Sequence, residues 1–260
     1  MTWLAPLLSV SSGGVVGFSL GLIGGGGSIL AVPLLIYVVG IREPHVAIGT
    51  GALAVAANAL ASFAGHWHAG NVKWRCAAVF AAAGVVGAAI GSSVGKLVDG
   101  QRLLFLFALI MVAVGAAMLR PNAAGGDPNV HITPRIAIRL IAIALLTGGV
   151  SGFFGIGGGF LIVPGLMLGS GMPILNAVGS SLFSVAAFGL TTAANYALSG
   201  FVDWTVALEF IAGGIGGGVI GLRVAAYLGG RRRMLSYIFA GVIFAVAAYM
   251  LARTATGTLV

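Results

Sequence analysis

Long apolar runs are the feature that most constrains the fold of this chain. Eight of them follow one another, and six are close to the length of about 20 residues that a helix needs to cross the hydrocarbon core of a membrane. The first and the fifth, at 4–40 and 136–169, are each about 35 residues long and contain a glycine cluster. A straight helix of that length would exceed about 50 Å. We therefore predict that these two runs are broken at their glycines.

The composition supports a membrane protein. Hydrophobic residues make up 59% of the 260 residues and charged residues 7%, whereas soluble domains carry about 25% charged residues. The net charge of +8 is not read as nucleic-acid binding, because the basic residues stand between apolar runs, where membrane proteins keep their flanking charges. Cys76 is the single cysteine, which excludes an intrachain disulfide and a cysteine metal site.

The two broken runs resemble each other. GLIGGGGSILAVP at 21–33 aligns with GFFGIGGGFLIVP at 152–164 at an offset of 131 residues, and GNVKW at 70–74 aligns with GFVDW at 200–204 at an offset of 130. We interpret the chain as a duplication, with a first transmembrane repeat at 1–120, a linker at 121–134 and a second repeat at 135–260. The predicted fold class is all-α, a polytopic bundle of transmembrane helices with broken first helices.

The basic residues indicate how the repeats are oriented. If each broken run crosses the membrane once, Lys and Arg divide six to seven between the two faces. If each broken run enters the membrane and returns to the same face, the Lys and Arg residues divide nine to four, which is the kind of asymmetry that membrane proteins show. The second arrangement gives each repeat an odd number of segments, so we favour inverted repeats with the linker in the cytoplasm.

Each break is also a candidate anion site. An interrupted helix exposes the N–H groups at the start of its second piece, and that end carries a partial positive charge. Glycines let a ligand approach the backbone closely. The alternative is that they serve close helix packing. The candidate contacts are Gly24, Gly25, Gly26, Gly27 and Ser28 at the first break, and Gly155, Gly157, Gly158 and Gly159 at the second.

These motifs resemble the sulfite exporter TauE/SafE family, also called the toluenesulfonate uptake permease family. The resemblance rests on the paired glycine-rich motifs ending in VP, on AIGTGAL at 47–53 and AVGSSLF at 177–183, and on the repeated GxVxW. It covers nearly the whole chain. It implies a multi-pass transporter of the bacterial inner membrane for small sulfur-containing or organic anions such as sulfite and sulfonates, without indicating which anion or which direction.

Polar residues inside apolar runs add candidate substrate contacts, namely Thr50, Asn58, Ser180, Ser181 and Asn195. Thr50 aligns with Ser180, and their hydroxyls suit the oxygens of a sulfonate or sulfite. Asn58 and Asn195 have no polar counterpart in the other repeat, so the site need not be symmetric. For both amides a hydrogen bond between helices is an equally good interpretation. Charged residues within the runs are few, and we interpret Glu209 and Arg223 as lying near the interface.

Interrupted helices in inverted repeats are the layout of many secondary transporters. The sequence therefore predicts alternating access, with a small anion bound near the midplane between the two breaks. No enzyme motif occurs, and no catalytic residue, cofactor, metal site or nucleic acid is predicted. Membrane lipids are expected partners, while an H⁺ or Na⁺ coupling ion and a homo-oligomer stay open. An anion channel, and a membrane subunit or assembly factor that transports nothing, remain as alternatives.

Overall fold

The computed structural model describes residues 4–23, 25–119, 127, 130, 132–227 and 232–255, and every element within them is helical. In chain order the α-helices are α1 (Leu4–Ile23), α2 (Ala31–Leu34), α3 (Pro44–His68), α4 (Trp74–Gly95), α5 (Gly100–Leu119), α6 (Pro134–Phe154), α7 (Gly159–Ser170), α8 (Ile174–Ala197), α9 (Trp204–Tyr227) and α10 (Arg232–Ala255). Gly24 and most of the predicted linker at 121–134 lie outside the described residues.

Seven of the described helices are long and apolar enough to cross a membrane: α1, α3, α4, α5, α6, α8 and α9. Shorter apolar helices cover Gly27–Val39, Gly159–Ser170 and Ala240–Arg253. The prediction of an all-α, polytopic membrane bundle is confirmed.

Both long runs are broken at their glycine clusters, but in different ways. After α1 ends at Ile23, a 3-10 helix at Gly25–Leu30 leads through α2 into a π-helical turn at Leu35–Val39. After α6 ends at Phe154, three glycines of the connecting turn have positive φ before α7 begins. Left-handed backbone is the conformation that glycine adopts without penalty, so the second cluster makes a true turn where the first continues as a tight helix.

Helices α1 and α9 are in backbone contact along a glycine stripe. A Cβ atom added to Gly17 would stand 1.9 Å from the Gly214 carbonyl oxygen, and one added to Gly21 would stand 2.3 Å from the Gly218 carbonyl oxygen. The contact advances along both helices together, so the two run parallel. Small residues let membrane helices approach this closely, and the gain in van der Waals packing then holds them together.

Helices α4 and α6 form the same contact at the counterpart positions of the predicted repeats. A Cβ added to Gly148 would stand 2.1 Å from the Gly84 carbonyl oxygen, and one added to Gly152 would stand 2.2 Å from the Ala88 carbonyl oxygen. The α6 positions follow those of α1 at an offset of 131 residues, and the α4 positions precede those of α9 at an offset of 130. Each close pair therefore joins one helix of the first predicted repeat to one helix of the second predicted repeat.

Helices α3 and α8 pack against each other at the centre of the bundle and run antiparallel. His45, at the start of α3, stacks on Tyr196 near the end of α8 with ring centroids 6.3 Å apart. Phe63, near the end of α3, contacts Phe183 in the first half of α8 with centroids 5.7 Å apart. This central pair positions the second glycine break.

Candidate functional site

The second glycine break lies where α3 crosses α8. A Cβ atom added to Gly157 would stand 2.9 Å from Val55 Cγ1 on α3 and 3.2 Å from Val185 Cγ1 on α8. Gly155 packs against Ile48, whose Cγ2 would be 2.1 Å from an added Cβ. Both valines are fully buried, and the residues of the break are buried too. A ligand can therefore reach the break only when helices separate.

The start of α7 supplies backbone donors at this point. Gly158 precedes the helix with φ 65°, and its carbonyl accepts hydrogen bonds from the N–H groups of Leu161 and Ile162, at 2.9 and 3.0 Å. The N–H groups of Gly159 and Phe160 have no acceptor within α7, because the first turn of any helix leaves its donors unpaired. The positive end of the helix dipole is at the same place.

A buried hydroxyl lies against the same turn. Ser151, near the end of α6, is fully buried, and its Oγ would be 2.7 Å from a Cβ added to Gly158. Among the described residues this hydroxyl has no hydrogen-bond partner. A neutral donor and a positive helix end in a region closed to water are suited to an anion. Sequence reasoning missed Ser151, because its counterpart in the first repeat is Leu20.

The first break is filled by packing. Gly25 and Gly26 belong to the 3-10 helix. A Cβ added to Gly27 would stand 2.5 Å from the backbone nitrogen of Leu20 on α1. Ser28 is fully buried. Here the interpretation of the glycines as close-packing residues describes the geometry well, and the anion interpretation remains a prediction.

The AIGTG and AVGSS motifs hold the GxVxW turns of the opposite predicted repeat. The backbone N–H of Asp203, just before α9, donates to Thr50 Oγ1 at 2.9 Å. At the counterpart positions, the backbone N–H of Lys73, just before α4, donates to Ser180 Oγ at 2.9 Å. Both hydroxyls are fully buried. Each hydroxyl thus joins α3 or α8 to a turn more than 100 residues away in the chain, and substrate contact by Thr50 and Ser180 remains a prediction.

Replacing Thr50 by valine tests this joining role. The variant keeps the shape of the side chain and removes the acceptor for the Asp203 N–H, so we expect a loss of about 1–2 kcal/mol in stability. Thermal unfolding of the purified protein in detergent measures it. Ser181→Ala is the matched control, because Ser181 Oγ donates to the Val178 carbonyl of its own helix at 2.8 Å. Equal effects of the two changes would contradict the joining role, and a stable Thr50→Val protein without transport would favour substrate contact.

The comparison with known families agrees with this architecture. A family model described as sulfite exporter TauE/SafE matches residues 9–250. The chain belongs to the sulfite exporter TauE/SafE family. This is a family of membrane transporters, and the chain is a multi-pass membrane protein.

Curated relatives in the family are named as transporters. A probable membrane transporter protein of Xylella fastidiosa (strain 9a5c) is 52% identical over 255 residues, 98% of each chain. The probable membrane transporter protein YunE of Bacillus subtilis is 30% identical over 226 residues, 78% of this chain and 82% of its own. MJ0441 of Methanocaldococcus jannaschii is 28% identical over 190 residues, 69% of this chain and 67% of its own. No solved structure matches the chain significantly.

Within this family member, Asn195 takes part in a network between α4 and α8. Its Nδ2 donates to Ser92 Oγ and Ser93 Oγ at 2.7 and 3.0 Å. Lys96 Nζ donates to Asn195 Oδ1 at 2.7 Å, to the backbone carbonyl of Asn195 at 3.1 Å and to Ser199 Oγ at 2.8 Å. The amide is therefore fully engaged, as the interpretation of a bond between helices expects. Its role as a substrate ligand remains a prediction.

A cavity of about 640 Å³ lies at the end of the bundle where α1 and α9 begin. Arg42, Glu43, Asp203 and Glu209 line it, together with the first residues of α1. Glu209 thus lies near an end of the bundle, consistent with the predicted interfacial position. Sequence reasoning did not find this cavity, because its walls come from three segments that are far apart in the chain.

Proposed function

We propose that the protein is a secondary transporter that moves a small sulfur-containing or organic anion, sulfite-like or sulfonate-like, across the bacterial inner membrane by alternating access. The observation that carries the proposal is the second glycine break. It places the start of α7 and the unpartnered Ser151 hydroxyl at the crossing of α3 and α8, in a member of a transporter family. Donors that find no partner in the closed protein are available to a ligand.

Several contacts support a duplication with inverted halves at 1–120 and 135–260. The counterpart helices α3 and α8 run antiparallel, as copies of opposite orientation must. Lys96, at the end of α4, bonds Asn195 at the end of α8. The two ends therefore lie at the same face of the bundle, whereas a single crossing by each broken run would put them at opposite faces.

The close helix pairs suggest which parts move. Because α1 packs on α9 and α4 packs on α6 through bare backbone, one sequence repeat cannot swing as a unit without breaking both contacts. We infer that the moving bodies are the pair α1 with α9 and the pair α4 with α6, each assembled from both repeats. Their motion about the α3–α8 crossing would open the second break alternately to the two faces.

The membrane potential bears on direction. With the inside negative, 100 mV favours the exit of each negative charge by about 2.3 kcal/mol, so export needs no coupling ion. Uptake would require H⁺ or Na⁺. Among the described residues, no Lys, Arg, Asp or Glu side chain is fully buried. This supports export without a coupled carboxylate deep in the membrane.

Flux through the purified protein in liposomes tests the proposal. We expect efflux of sulfite or methanesulfonate that saturates with concentration and is accelerated by substrate on the opposite side, as a carrier requires. Currents far above carrier rates would instead identify an anion channel. No flux of either anion, together with stable co-purification of a partner protein, would favour a non-transporting membrane subunit and overturn the proposal.

A further inference from the structure

Asn58 is a buried amide without a partner. It lies in the middle of α3, is 1% exposed, and neither its Nδ2 nor its Oδ1 has a hydrogen-bond partner among the described residues. It faces α9 at Gly214, where an added Cβ would be 1.9 Å from Nδ2. Burying an amide without hydrogen bonds costs about 1–3 kcal/mol by mutational measures. Such a cost requires a compensating role.

The repeat supplies an internal comparison for this position. The counterpart of Asn58 is Phe188 on α8, which faces α4 at Gly84 in the same way, with its Cζ 1.9 Å from an added Cβ. Phe188 is fully buried and stacks on Phe80 with ring centroids 6.2 Å apart. An apolar side chain therefore fills this position well. Packing alone does not explain the amide in the first repeat.

Asn58 lies one helical turn from a residue of α3 that contacts the second glycine break. Val55, which contacts Gly157, precedes Asn58 by one helical turn. Residues three apart on a helix are neighbours on its surface, with Cβ atoms about 5–6 Å apart. The α3 surface that carries the amide therefore adjoins the α3 surface that contacts the turn before α7, and only the first predicted repeat has an amide at this position.

The charge of the ligand follows from what surrounds it. Among the described residues no Lys or Arg side chain is fully buried, so an anion at this depth would be held by neutral donors and by the partial positive charge at the start of α7. The cost of removing an ion from water is several kcal/mol or more in proteins, and by Born's relation it rises with the square of the charge. A dianion would lose about four times as much hydration energy as a monoanion of the same size, whereas its attraction to the positive helix end would only double, because that attraction is linear in the charge.

We propose that the Asn58 amide binds the ligand in a site that is present in the first predicted repeat only, and that this site accepts a monovalent oxyanion such as bisulfite or a sulfonate. The Phe188 position is its counterpart in the second predicted repeat and binds no ligand. This rests on the proposed transport function. Asn58 Nδ2 donates to an oxygen of the anion once α3 and α9 separate. Oδ1 accepts a hydrogen bond from a hydroxyl of the anion where the anion carries one, as bisulfite does.

Asn58→Leu, with Phe188→Leu as the matched control, tests the proposal. The probes are methanesulfonate, sulfite at pH 6 and pH 8, and sulfate, measured by binding to purified protein and by flux in liposomes. We expect Asn58→Leu to weaken methanesulfonate binding about tenfold or more while leaving the melting temperature unchanged or raised, because it removes an unsatisfied polar group. Phe188→Leu should leave affinity within about twofold. Wild-type protein should take methanesulfonate in preference to sulfate, and sulfite better at pH 6 than at pH 8.

Different failures have different meanings. Wild-type transport that Asn58→Leu leaves intact would overturn the inference and leave the proposed function standing. Equal transport of sulfate and methanesulfonate would overturn the monovalent assignment. A large fall in melting temperature on Asn58→Leu would identify a structural amide. Absence of both binding and flux in the wild-type protein would overturn the proposed function and the inference together.

Discussion

Gly17→Ala is expected to destabilise the protein strongly, although alanine is the better helix former. The added methyl group would stand 1.9 Å from the Gly214 carbonyl oxygen, so α1 and α9 must move apart along their whole contact. Overpacking costs about 1–3 kcal/mol or more, and here both sides of the contact are backbone that cannot change rotamer. Melting temperature and monodisperse yield in detergent measure the effect.

Gly14→Ala is the matched control on the same helix. Its added Cβ would stand 3.6 Å from the Gly213 carbonyl oxygen, which is ordinary van der Waals contact. The gain in helix propensity of up to about 1 kcal/mol then has no opposing clash, and stability should stay equal or rise. If the two variants melt at the same temperature, the close contact of α1 with α9 is not a major source of stability.

Gly157→Ala is expected to abolish transport while much of the protein still folds. Gly157 has φ 66° and its added Cβ would stand 2.9 Å from Val55 Cγ1. The left-handed conformation alone costs alanine about 1–2 kcal/mol, and the contact with Val55 would reshape the turn before α7. We expect the reshaped turn to reduce the binding free energy of methanesulfonate by at least 1.4 kcal/mol, which is about a tenfold loss of affinity. Gly157→Val, with a larger side chain, should be worse.

Gly171→Ala separates the effect of backbone strain from the effect of the contact with Val55. Gly171 also has a left-handed backbone, with φ 75°, but nothing lies within 4 Å of its added Cβ. This variant suffers the same backbone strain without touching the α3–α8 crossing. We expect transport close to that of the wild type. Equal loss of transport in both variants would mean that backbone strain, and not the geometry of the break, is responsible, and would remove the main support for the anion site.

The helix breaks were predictable because they follow from length and local chemistry. A run of about 35 apolar residues cannot be one straight membrane helix, and a helix ends with the smallest free-energy cost where glycines cluster. Accordingly, α1 ends at Ile23 and α6 at Phe154. The family was predictable for a similar reason, since its motifs are local and occur twice in the chain.

The partners of the polar residues were not predictable. Thr50 and Ser180 were expected to offer hydroxyls to a substrate, yet each accepts a hydrogen bond from a backbone N–H of a distant segment, at Asp203 and Lys73 respectively. Asn195 and Asn58 are both amides within apolar runs, but one is fully engaged and the other has no partner among the described residues. Residue type is the same in the two cases. What differs is the helix that faces each one, and that depends on contacts between residues 99 or more positions apart in the chain.

By itself the sequence determined that the chain is a helical membrane protein, where its two long runs break and which family it belongs to, because run length, glycine content and short motifs are local properties. Only the tertiary structure decided that the first break is packed while the second leaves helix-end donors and a buried hydroxyl at the centre. It also decided that α1 is in close contact with α9 and α4 with α6. The physical reason is that a hydrogen-bonding group is satisfied or left open by its neighbours in space, and those neighbours are set by packing between distant segments.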